Sequence, residues 1–382
     1  MFNDDYRPMV TVKKITKIAE HTNADSLELA FVDGWQVIVK KGELKEGDLI
    51  LYFEIDSVLP QEIEQRIFPP DSKITLKKSR VKTIKIRKMY SQGLIVPIST
   101  FSDFKFKIKE GEDVTKILGV EKYEEPIKKT SILYVKKQKK KYENPNFHKV
   151  RKPDNIKYFP DLFIGKQVCI TEKLHGTSFV AGWVKRPNHS FFDKIRIYLF
   201  GKYEFCYRSM NVQLQKRDSI LDGILKKLGI RKERGYYQKE INVNVYQEAV
   251  EKYDLKNKIP MGYEITAEIV GDGIQTNYNY GCKKDERKMI CFGVRKNGEN
   301  IFYEDAVYLV SSIGFEYVPI LYIGSFSKEI LDKHTNGCSN YCNSQKIKEG
   351  CVVECIEEGI YPNLLKSISE KYLDKGNSTD FH

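Results

Sequence analysis

At 382 residues the chain is long enough for two or three domains with a sizeable core. Its 64 Lys and Arg against 52 Asp and Glu give a formal charge of +12, which favours nucleic acid over membrane as a partner. A lysine-rich solvated surface is the plainer interpretation. An apolar run of about 18 residues is missing, so no transmembrane helix is predicted. The N-terminus, Met1-Phe2-Asn3-Asp4-Asp5, lacks a signal-peptide pattern, so we expect a cytoplasmic protein, or a nuclear one in a nucleated cell.

Four of the eight cysteines lie close together in the sequence: Cys338, Cys342, Cys351 and Cys355. Two CxxxC spacings could be read as a zinc site. However, the second pair lies in a predicted strand, and the spacing is loose for a zinc knuckle. We therefore expect buried free thiols rather than a metal centre.

The first hundred residues predict short strands separated by glycine turns. Asp33-Gly34 marks a hairpin turn between two of these strands. The strand-like runs are 10–15, 27–32, 35–39, 49–55, 82–87 and 94–98. This pattern predicts a small closed barrel such as an OB-fold, which commonly binds oligonucleotides. A purely structural barrel is the alternative.

The pattern breaks between residues 108 and 155. Residues 128–141 hold seven lysines and no acid, which indicates an exposed linker. From Tyr158 onward strands and helices mix, with an amphipathic helix predicted over 213–228. The fold class is therefore α+β.

A lysine follows the short apolar strand Gln167-Val168-Cys169-Ile170-Thr171, with a glycine three residues further on. A strand-end lysine of this kind can attack a nucleotide phosphate. The amine reacts only when unprotonated, and the ordinary lysine pKa is near 10.4, so Lys173 needs desolvation or a nearby cation.

Five downstream residues could supply the other groups that such a lysine needs. Arg208 could hold a phosphate, Glu268 could accept a ribose hydroxyl, and Phe292 could stack on a base. Glu349 could position a divalent cation, and Lys366 could neutralise the α-phosphate. Taken singly, such residues are more often surface charges or, for Phe292, core.

In this order the set resembles the covalent nucleotidyltransferases, the superfamily of ligases and mRNA capping enzymes. Lys173-Leu174-His175-Gly176 matches its first motif with His at the third place, which is similar to the RNA ligase 2 group. Arg208 falls at motif Ia, Glu268 at motif III, Phe292 at motif IIIa, Glu349 at motif IV and Lys366 at motif V.

The resemblance extends beyond the catalytic motifs. Residues 23–60, with Gly34-Trp35 and Tyr52-Phe53-Glu54-Ile55-Asp56-Ser57, look like the N-terminal OB module of Deinococcus-type RNA ligases. Ser91-Gln92-Gly93-Leu94 and residues 271–277 are also similar to that group.

Three positions depart from the pattern. Ser178 stands where Asn is frequent, and Gly293 stands where Asp is common. Motif V often reads Lys-x-Lys, whereas its second lysine is replaced by Ile368, with Lys371 as a weak substitute.

The resemblance implies an OB-like β-barrel followed by a nucleotidyltransferase (ATP-grasp-like ligase) domain of antiparallel sheets with flanking helices. The expected divisions are 1–120 for the OB-like RNA-binding module, 121–155 for the basic linker, 156–373 for the adenylylation domain and 374–382 for a flexible tail.

The implied activity is an ATP-dependent RNA ligase that seals 5′-phosphate and 3′-hydroxyl ends, as at a nick, through a lysyl-AMP intermediate. Lys173 and Lys366 are the implied catalytic residues, and Mg²⁺ or Mn²⁺ is the implied metal, held by Glu349 and Glu268. Glu172, Lys173, Arg208, Glu268, Phe292, Glu349 and Lys366 would bind the nucleotide, with Glu172 on the adenine.

Two alternatives stay open: a DNA ligase or capping guanylyltransferase, and a non-catalytic RNA-binding relative. The biological RNA, the chemistry of the template strand and the preferred metal also stay open. The oligomeric state is open too, with a monomer as the expectation.

Overall fold

The computed structural model describes residues 8–70, 72, 75–123, 143–150, 152–210, 213–214, 219–228, 245–275 and 277–374. These residues form two compact units. The N-terminal unit takes the described residues up to 123, together with 154–162 and 373–374. The C-terminal unit takes those between 143 and 153 and between 163 and 372.

The units differ from the expected boundaries because the chain returns to the N-terminal strands after residue 153. Gly34 N donates to Lys157 O at 3.0 Å, and the rings of Trp35 and Tyr158 lie 4.8 Å apart. A Cβ at position 34 would lie 2.7 Å from Lys157 O, so only glycine fits this turn. Residues 124–142 of the predicted linker and 375–382 of the predicted tail lie outside the described residues.

The N-terminal unit consists of short strands and one α-helix, α1 (Gln61–Ile67). Its strands are β1 (Val10–Lys14), β2 (Lys17–Glu20), β3 (Leu27–Val32), β4 (Trp35–Lys40), β5 (Leu49–Phe53), β6 (Ser57–Val58), β7 (Ile84–Ile86), β8 (Met89–Ser91), β9 (Leu94–Pro97), β10 (Glu121–Lys122) and β11 (Asp154–Asn155).

Strand β5 lies between two hydrophobic cores. Leu51 and Phe53 enter one core, whereas Ile50 and Tyr52 enter the other. Because successive side chains alternate across a strand, a strand covered on both faces reads as an unbroken apolar run. The unbroken apolar run 49–53 is therefore explained by the burial of β5 on both faces.

The strands pair in small sheets, and a bend in the chain joins β1 of one sheet to β2 of another. β1 pairs with β5, and after a bend at Ile15–Thr16 the chain continues as β2, which pairs with β3. The sheets are β1–β5–β9, β2–β3–β4, β7–β8 and β6–β10. Among the described residues these strand pairings do not close into a ring, so the closed barrel expected from the sequence is not seen as one continuous sheet.

The C-terminal unit contains ten strands and seven α-helices among its described residues. The strands are β12 (Gln167–Lys173), β13 (Thr177–Lys185), β14 (Tyr203–Ser209), β15 (Tyr263–Gly271), β16 (Arg287–Lys296), β17 (Glu299–Asn300), β18 (Glu316–Tyr317), β19 (Ile320–Ser325), β20 (Gly350–Cys355) and β21 (Leu364–Ile368). The helices are α2 (Phe191–Phe200), α3 (Ile220–Lys227), α4 (Val245–Lys252), α5 (Leu255–Lys258), α6 (Tyr303–Ser312), α7 (Lys328–Thr335) and α8 (Glu370–Asp374), of which the last continues two residues past the unit boundary after residue 372.

Two mainly antiparallel sheets organise this unit. The first has the order β21–β20–β12–β19, and the second has the order β14–β13–β15–β16–β17, with β18 parallel to β16. Residues of α4, α5 and α6 pack on one face of the second sheet around Phe179, Ile265 and Met289. Its other face carries Val180, Val184 and Cys206 with Phe147.

The predicted helix over 213–228 is shorter in the structure. Helix α3 begins at Ile220, and Gln213 instead forms an isolated β-bridge with Arg208. The side chain of Leu214 packs against the core of the second sheet, which satisfies its hydrophobicity without a helix. Residues 215–218 lie outside the described part.

The cysteines are only partly as expected. Cys351 and Cys355 are buried thiols in β20, where burial raises the pKa of Cys351 to about 11. Cys338 is exposed and Cys342 half-buried, so the expectation of burial is wrong for these two. Within the described residues no helix is long and apolar enough to span a bilayer.

Candidate active site

The loop Leu174–Gly176 connects the two sheets of the C-terminal unit, since β12 belongs to the first and β13 to the second. A Cβ at Gly176 would lie 2.4 Å from Ile269 O and 2.8 Å from Glu268 Cγ. Only glycine therefore lets the loop pass this close to β15. This passage brings residues of both sheets to one place.

Lys173 is the last residue of β12 and pairs with Gly350 of β20. The preceding residue, Glu349, is fully buried, and its Oε1 contacts Lys173 Nζ in an ion pair. Glu349 Oε2 is also buried and has no hydrogen-bond partner. Two residues 176 positions apart in sequence, predicted as nucleophile and metal ligand, are thus in direct contact.

His175 is buried among three tyrosines. Its Nδ1 lies 3.0 Å from Tyr372 Oη, and its backbone N donates to Tyr280 Oη at 2.8 Å. The ring of Tyr278 contacts the imidazole edge to face at 4.9 Å. Since Nδ1 is 3.6 Å from Glu349 Oε2, the histidine stands beside the carboxylate that contacts the lysine.

Glu172 points to the opposite face of β12 from Lys173, as strand alternation requires. Its Oε2 accepts from the backbone N of Asn340 at 2.7 Å and of Tyr341 at 3.0 Å. Its Oε1 is buried and has no hydrogen-bond partner. Oε1 therefore remains an acceptor for a ligand that carries an N–H group.

Glu268 lies on β15, across from Ser178 of β13. Ser178 Oγ donates to Glu268 Oε2 at 3.1 Å, so the serine found where Asn is frequent holds a predicted site residue. Gln275 Nε2 donates to Gly176 O at 3.0 Å, which ties the segment after β15 to the lysine loop.

Arg208 lies on the same face of the second sheet as Glu268, because it pairs with Val180, two residues from Ser178. It is 2% exposed and donates from Nη1 to Phe147 O at 2.9 Å. Its Nε and Nη2 are buried without a partner. Burial lowers the pKa of Arg208, and these two donors can receive an anionic group.

Phe292 is half-buried at a bulge of β16, opposite the step from Thr266 to Ala267. Its carbonyl accepts from Tyr317 Oη at 3.0 Å. This hydrogen bond fixes the backbone at the position predicted to stack on a base.

Lys366 is buried in β21, and the strand register determines its face. It lies across β20 from Thr171 through Val352, so it shares a face of the first sheet with Lys173. By the same register Ile368 lies across Gly350 from Lys173. A lysine at position 368, where motif V often has one, would thus have lain on the same face of the sheet as Lys173, with Gly350 between them. Lys371, the weak substitute for that lysine, is exposed.

The donor set fits a divalent cation that keeps much of its own water. No group of three or more His, Cys, Asp or Glu side chains suited to a metal gathers among the described residues. Glu349 nevertheless offers a buried carboxylate oxygen that has no hydrogen-bond partner. Mg²⁺ commonly uses one or two carboxylates, with phosphate oxygens and waters completing its shell.

Four contributors were absent from the sequence-based set: Tyr280 and Tyr372 on His175, and the backbone N of Asn340 and Tyr341 on Glu172. Tyr278 and Tyr280, flanking one residue and both buried, were the available signal for an aromatic cluster. The two backbone amides could not be predicted from the sequence, because every residue except proline has a backbone N–H.

Two family models match the chain. One of RNA ligase covers residues 166–368, and one of an OB-fold domain covers residues 9–98. Curated protein sequences give no match.

Several solved structures align with nearly the whole chain. A Naegleria gruberi RNA ligase with pyrophosphate superposes with a TM-score of 0.69 at 22% identity, over 97% of this chain and 99% of that one. A variant of that ligase with AMP and Mn gives 0.70 at 22% identity over the same shares. Another variant with ATP and Mn gives 0.68 at 21% identity, again over 97% and 99%. At this identity the alignments establish the fold.

These matches confirm the α+β fold, the OB-like module and the resemblance to RNA ligases. The RNA ligase match covers more than half of the 382 residues. The chain therefore belongs to the RNA ligase family, enzymes that form phosphodiester bonds, and carries an N-terminal OB-fold domain.

Proposed function

We propose that this enzyme is an ATP-dependent RNA ligase that seals a 5′-phosphate to a 3′-hydroxyl at a nick, through AMP carried on Lys173. The observation that carries the proposal is the contact between Lys173 Nζ and the buried carboxylate of Glu349. The Naegleria gruberi ligases are solved with ATP, AMP, pyrophosphate and Mn, which supports the same nucleotide and a divalent cation here.

In the first step the neutral Nζ of Lys173 attacks the α-phosphorus of ATP. An N–P bond forms, the bond to the oxygen that bridges to the β-phosphate breaks, and pyrophosphate leaves. The ammonium form must first lose a proton. The Glu349 carboxylate in contact with Nζ stabilises the ammonium, so the neutral amine would be favoured once a divalent cation held by Glu349 offsets the carboxylate charge.

In the second step an oxygen of the RNA 5′-phosphate attacks the phosphorus of the lysyl-AMP, the N–P bond breaks and the amine of Lys173 is released. In the third step the 3′-hydroxyl oxygen attacks the 5′-phosphorus of the RNA, loses its proton to solvent, and the bond to the AMP oxygen breaks so that AMP leaves. Each step exchanges one group at phosphorus in line, so alignment and charge neutralisation supply most of the catalysis. Lys366 on the lysine face of the first sheet and the two unpartnered donors of Arg208 provide positive charge.

Mg²⁺ or Mn²⁺, when bound, neutralises phosphate charge and orients its oxygens. Glu349 would hold it through the unpartnered Oε2, with Glu268 as the second carboxylate. Glu268 also lies at hand for a ribose hydroxyl, and Phe292 for the base. Glu172 would meet the adenine amino group through Oε1 where the base passes the end of β12, because its side chain lies on the other face of that strand from Lys173. This acceptor alone does not separate adenine from guanine, which also carries N–H groups.

The N-terminal unit would hold RNA beside the break through backbone charge. A DNA ligase or a capping guanylyltransferase is the alternative within the superfamily. Acceptance of GTP alone would favour the capping reaction. A non-catalytic relative would bind RNA without becoming adenylylated.

The test is the mass of the purified protein after incubation with ATP and Mg²⁺. We expect a gain of one AMP on Lys173 in the native chain and none in Lys173→Ala. Lys185→Ala, which removes an exposed lysine at the far end of β13, is the matched control and should be adenylylated normally.

Lys173→Ala should still seal a nicked duplex whose 5′-phosphate already carries AMP, because the later steps do not need the nucleophile. An adenylylated Lys173→Ala protein would overturn the assignment. Failure of the native chain to take AMP would leave the capping guanylyltransferase if GTP labels the protein, and the non-catalytic relative if neither nucleotide does.

A further inference from the structure

A stretch of the N-terminal unit outside the ligase domain is strongly basic. Residues 72–91 contain eight Lys and Arg and no Asp or Glu. Five of these cations are exposed in the structure: Lys77 and Lys78 on a 3-10 turn, and Lys85, Arg87 and Lys88 on the hairpin of β7 and β8. We call the three cations of the hairpin the basic patch.

The backbone of the basic patch is unusual because two of its cations, Arg87 and Lys88, occupy a left-handed turn. Strands β7 and β8 form a hairpin whose two turn residues, Arg87 and Lys88, have φ of 49° and 73°. Lys78 likewise has φ of 59°. Side chains with a Cβ are disfavoured there, and two-residue hairpin turns prefer Asn-Gly. A left-handed turn built from two cations instead of Asn-Gly points to a role for the charge.

The hairpin is held firmly against its neighbours. Gln36 Nε2 donates to Tyr90 O at 2.8 Å, and Asn23 Nδ2 donates to Arg87 O at 3.1 Å. Ser91 Oγ accepts from Ile38 N at 3.0 Å. A tip fixed in this way loses little conformational entropy when a ligand binds.

The chain that leads into the basic patch is also cationic. Residues 72–91 contain no Asp or Glu. Burial lowers the pKa of Lys82, and repulsion from Arg80, Lys77 and Lys78 lowers it further, although Arg80 itself donates from Nε to Asp56 at 2.6 Å. The stretch that carries the basic patch therefore has a positive net charge.

The aromatic ring of the hairpin favours phosphate contact over base stacking. Lys85 Nζ lies over the ring of Tyr90 at 4.9 Å, so a cation already covers that face. Single-strand binders instead present open aromatic faces to bases. The long side chains at the tip suit the regularly spaced phosphates of a duplex.

We propose that the basic patch binds the phosphate backbone of duplex RNA beside the break. The inference rests on the proposed function for the identity of the RNA, and it assigns the contact to hairpin residues outside the ligase domain. Each cation that neutralises a phosphate releases a counterion, so affinity through the patch depends on salt.

The test is the dissociation constant of the full chain for a nicked RNA duplex over a range of salt concentrations. Arg87→Gln/Lys88→Gln removes two charges and should weaken binding about 10- to 30-fold near 0.15 M salt. The slope of log affinity against log salt should shrink by about 1.8. Lys107→Gln/Lys109→Gln removes two exposed charges from the same unit and should leave the slope near that of the native chain.

A second variant separates the charge from the fold. Arg87→Asn/Lys88→Gly gives the hairpin the turn sequence it prefers, so the unfolding midpoint should rise while RNA affinity falls. A variant that binds RNA as tightly as the native chain would overturn the proposal. So would a loss confined to single-stranded RNA.

Adenylylation of Lys173 is measured on the same proteins without RNA. It should be unchanged in both hairpin variants, because they lie outside the ligase domain. Normal adenylylation with unchanged RNA affinity contradicts the basic patch alone, whereas absent adenylylation in the native chain contradicts the proposed function.

Discussion

The candidate active site and the basic patch both handle phosphate charge, yet they are built in opposite ways. At the site, Lys173 contacts a carboxylate that is fully buried, and strand register fixes both residues. At the patch, exposed cations stand on a hairpin whose turn has a left-handed backbone. Buried groups act over short distances at low dielectric, whereas exposed charges act over a Debye length of about 8–10 Å and are screened by salt.

The two regions therefore serve different purposes: the candidate active site aligns reacting groups, whereas the basic patch attracts a charged ligand. Displacement at phosphorus requires the amine to be placed within a fraction of an ångström, which paired strands provide. Holding a duplex requires only that cations follow a charged surface, which turns provide. Substitutions in the first region should therefore affect rate and be insensitive to salt, and those in the second should affect affinity and depend on salt.

The largest effect is expected for Glu349→Gln, which keeps the shape of the side chain and removes its charge. Adenylylation should fall roughly 10²- to 10³-fold, as for other losses of a preorganised charge at a reacting centre. The single-turnover rate of AMP attachment measures it at several Mg²⁺ concentrations. Glu354→Gln, another carboxyl of β20, should stay within a few fold of the native rate. A Glu349→Gln protein that attaches AMP as fast as the native one would contradict the role assigned to the buried carboxylate.

A second expectation concerns Glu264, buried on the face of the second sheet that carries Arg208. Burial raises its pKa to about 7, although Arg295 and Arg208 pull it down. A pKa above the ordinary 4.5 means that the folded state binds the extra proton. The free energy of unfolding should thus fall as pH rises from about 4.5 through about 7, by about 3 kcal/mol.

Urea unfolding at pH 5 and pH 8 measures this change in the free energy of unfolding. Glu264→Gln should lose most of the difference between the two pH values, whereas Glu299→Gln, on exposed β17, should keep it. The effect should persist in 0.5 M salt because the group is buried, in contrast to binding at the basic patch. An equal pH dependence in both variants would contradict the assignment.

The smallest effect is expected for Tyr372→Phe, which removes the hydroxyl that positions His175. Losing one buried hydrogen bond costs about 1 kcal/mol, so the adenylylation rate should fall roughly fivefold with KM for ATP unchanged. In a His175→Ala background the same change should have no further effect, which a purely structural role of Tyr372 would not produce. Tyr308→Phe, an exposed tyrosine of α6, is the control.

The sequence by itself determined the order of the chemistry: Lys173 after an apolar strand, then Arg208, Glu268, Phe292, Glu349 and Lys366, behind short strands with glycine turns. Local patterns carry this information because strand alternation, turn glycines and motif spacing are written in neighbouring residues. The strand runs 10–15 and 49–55 and the α+β class could be predicted for the same reason. The start of the predicted helix 213–228 could not be placed, since Gln213 pairs with Arg208 in a β-bridge and the helix begins only at Ile220.

Only the tertiary structure decided which of these residues meet. Lys173 touches Glu349 because β12 pairs with β20, and Ile368 faces the nucleophile because β21 follows in register. Tyr280 and Tyr372 reach His175 from 105 and 197 residues away. Pairings between distant strands depend on the packing of the whole unit, so no local pattern encodes them.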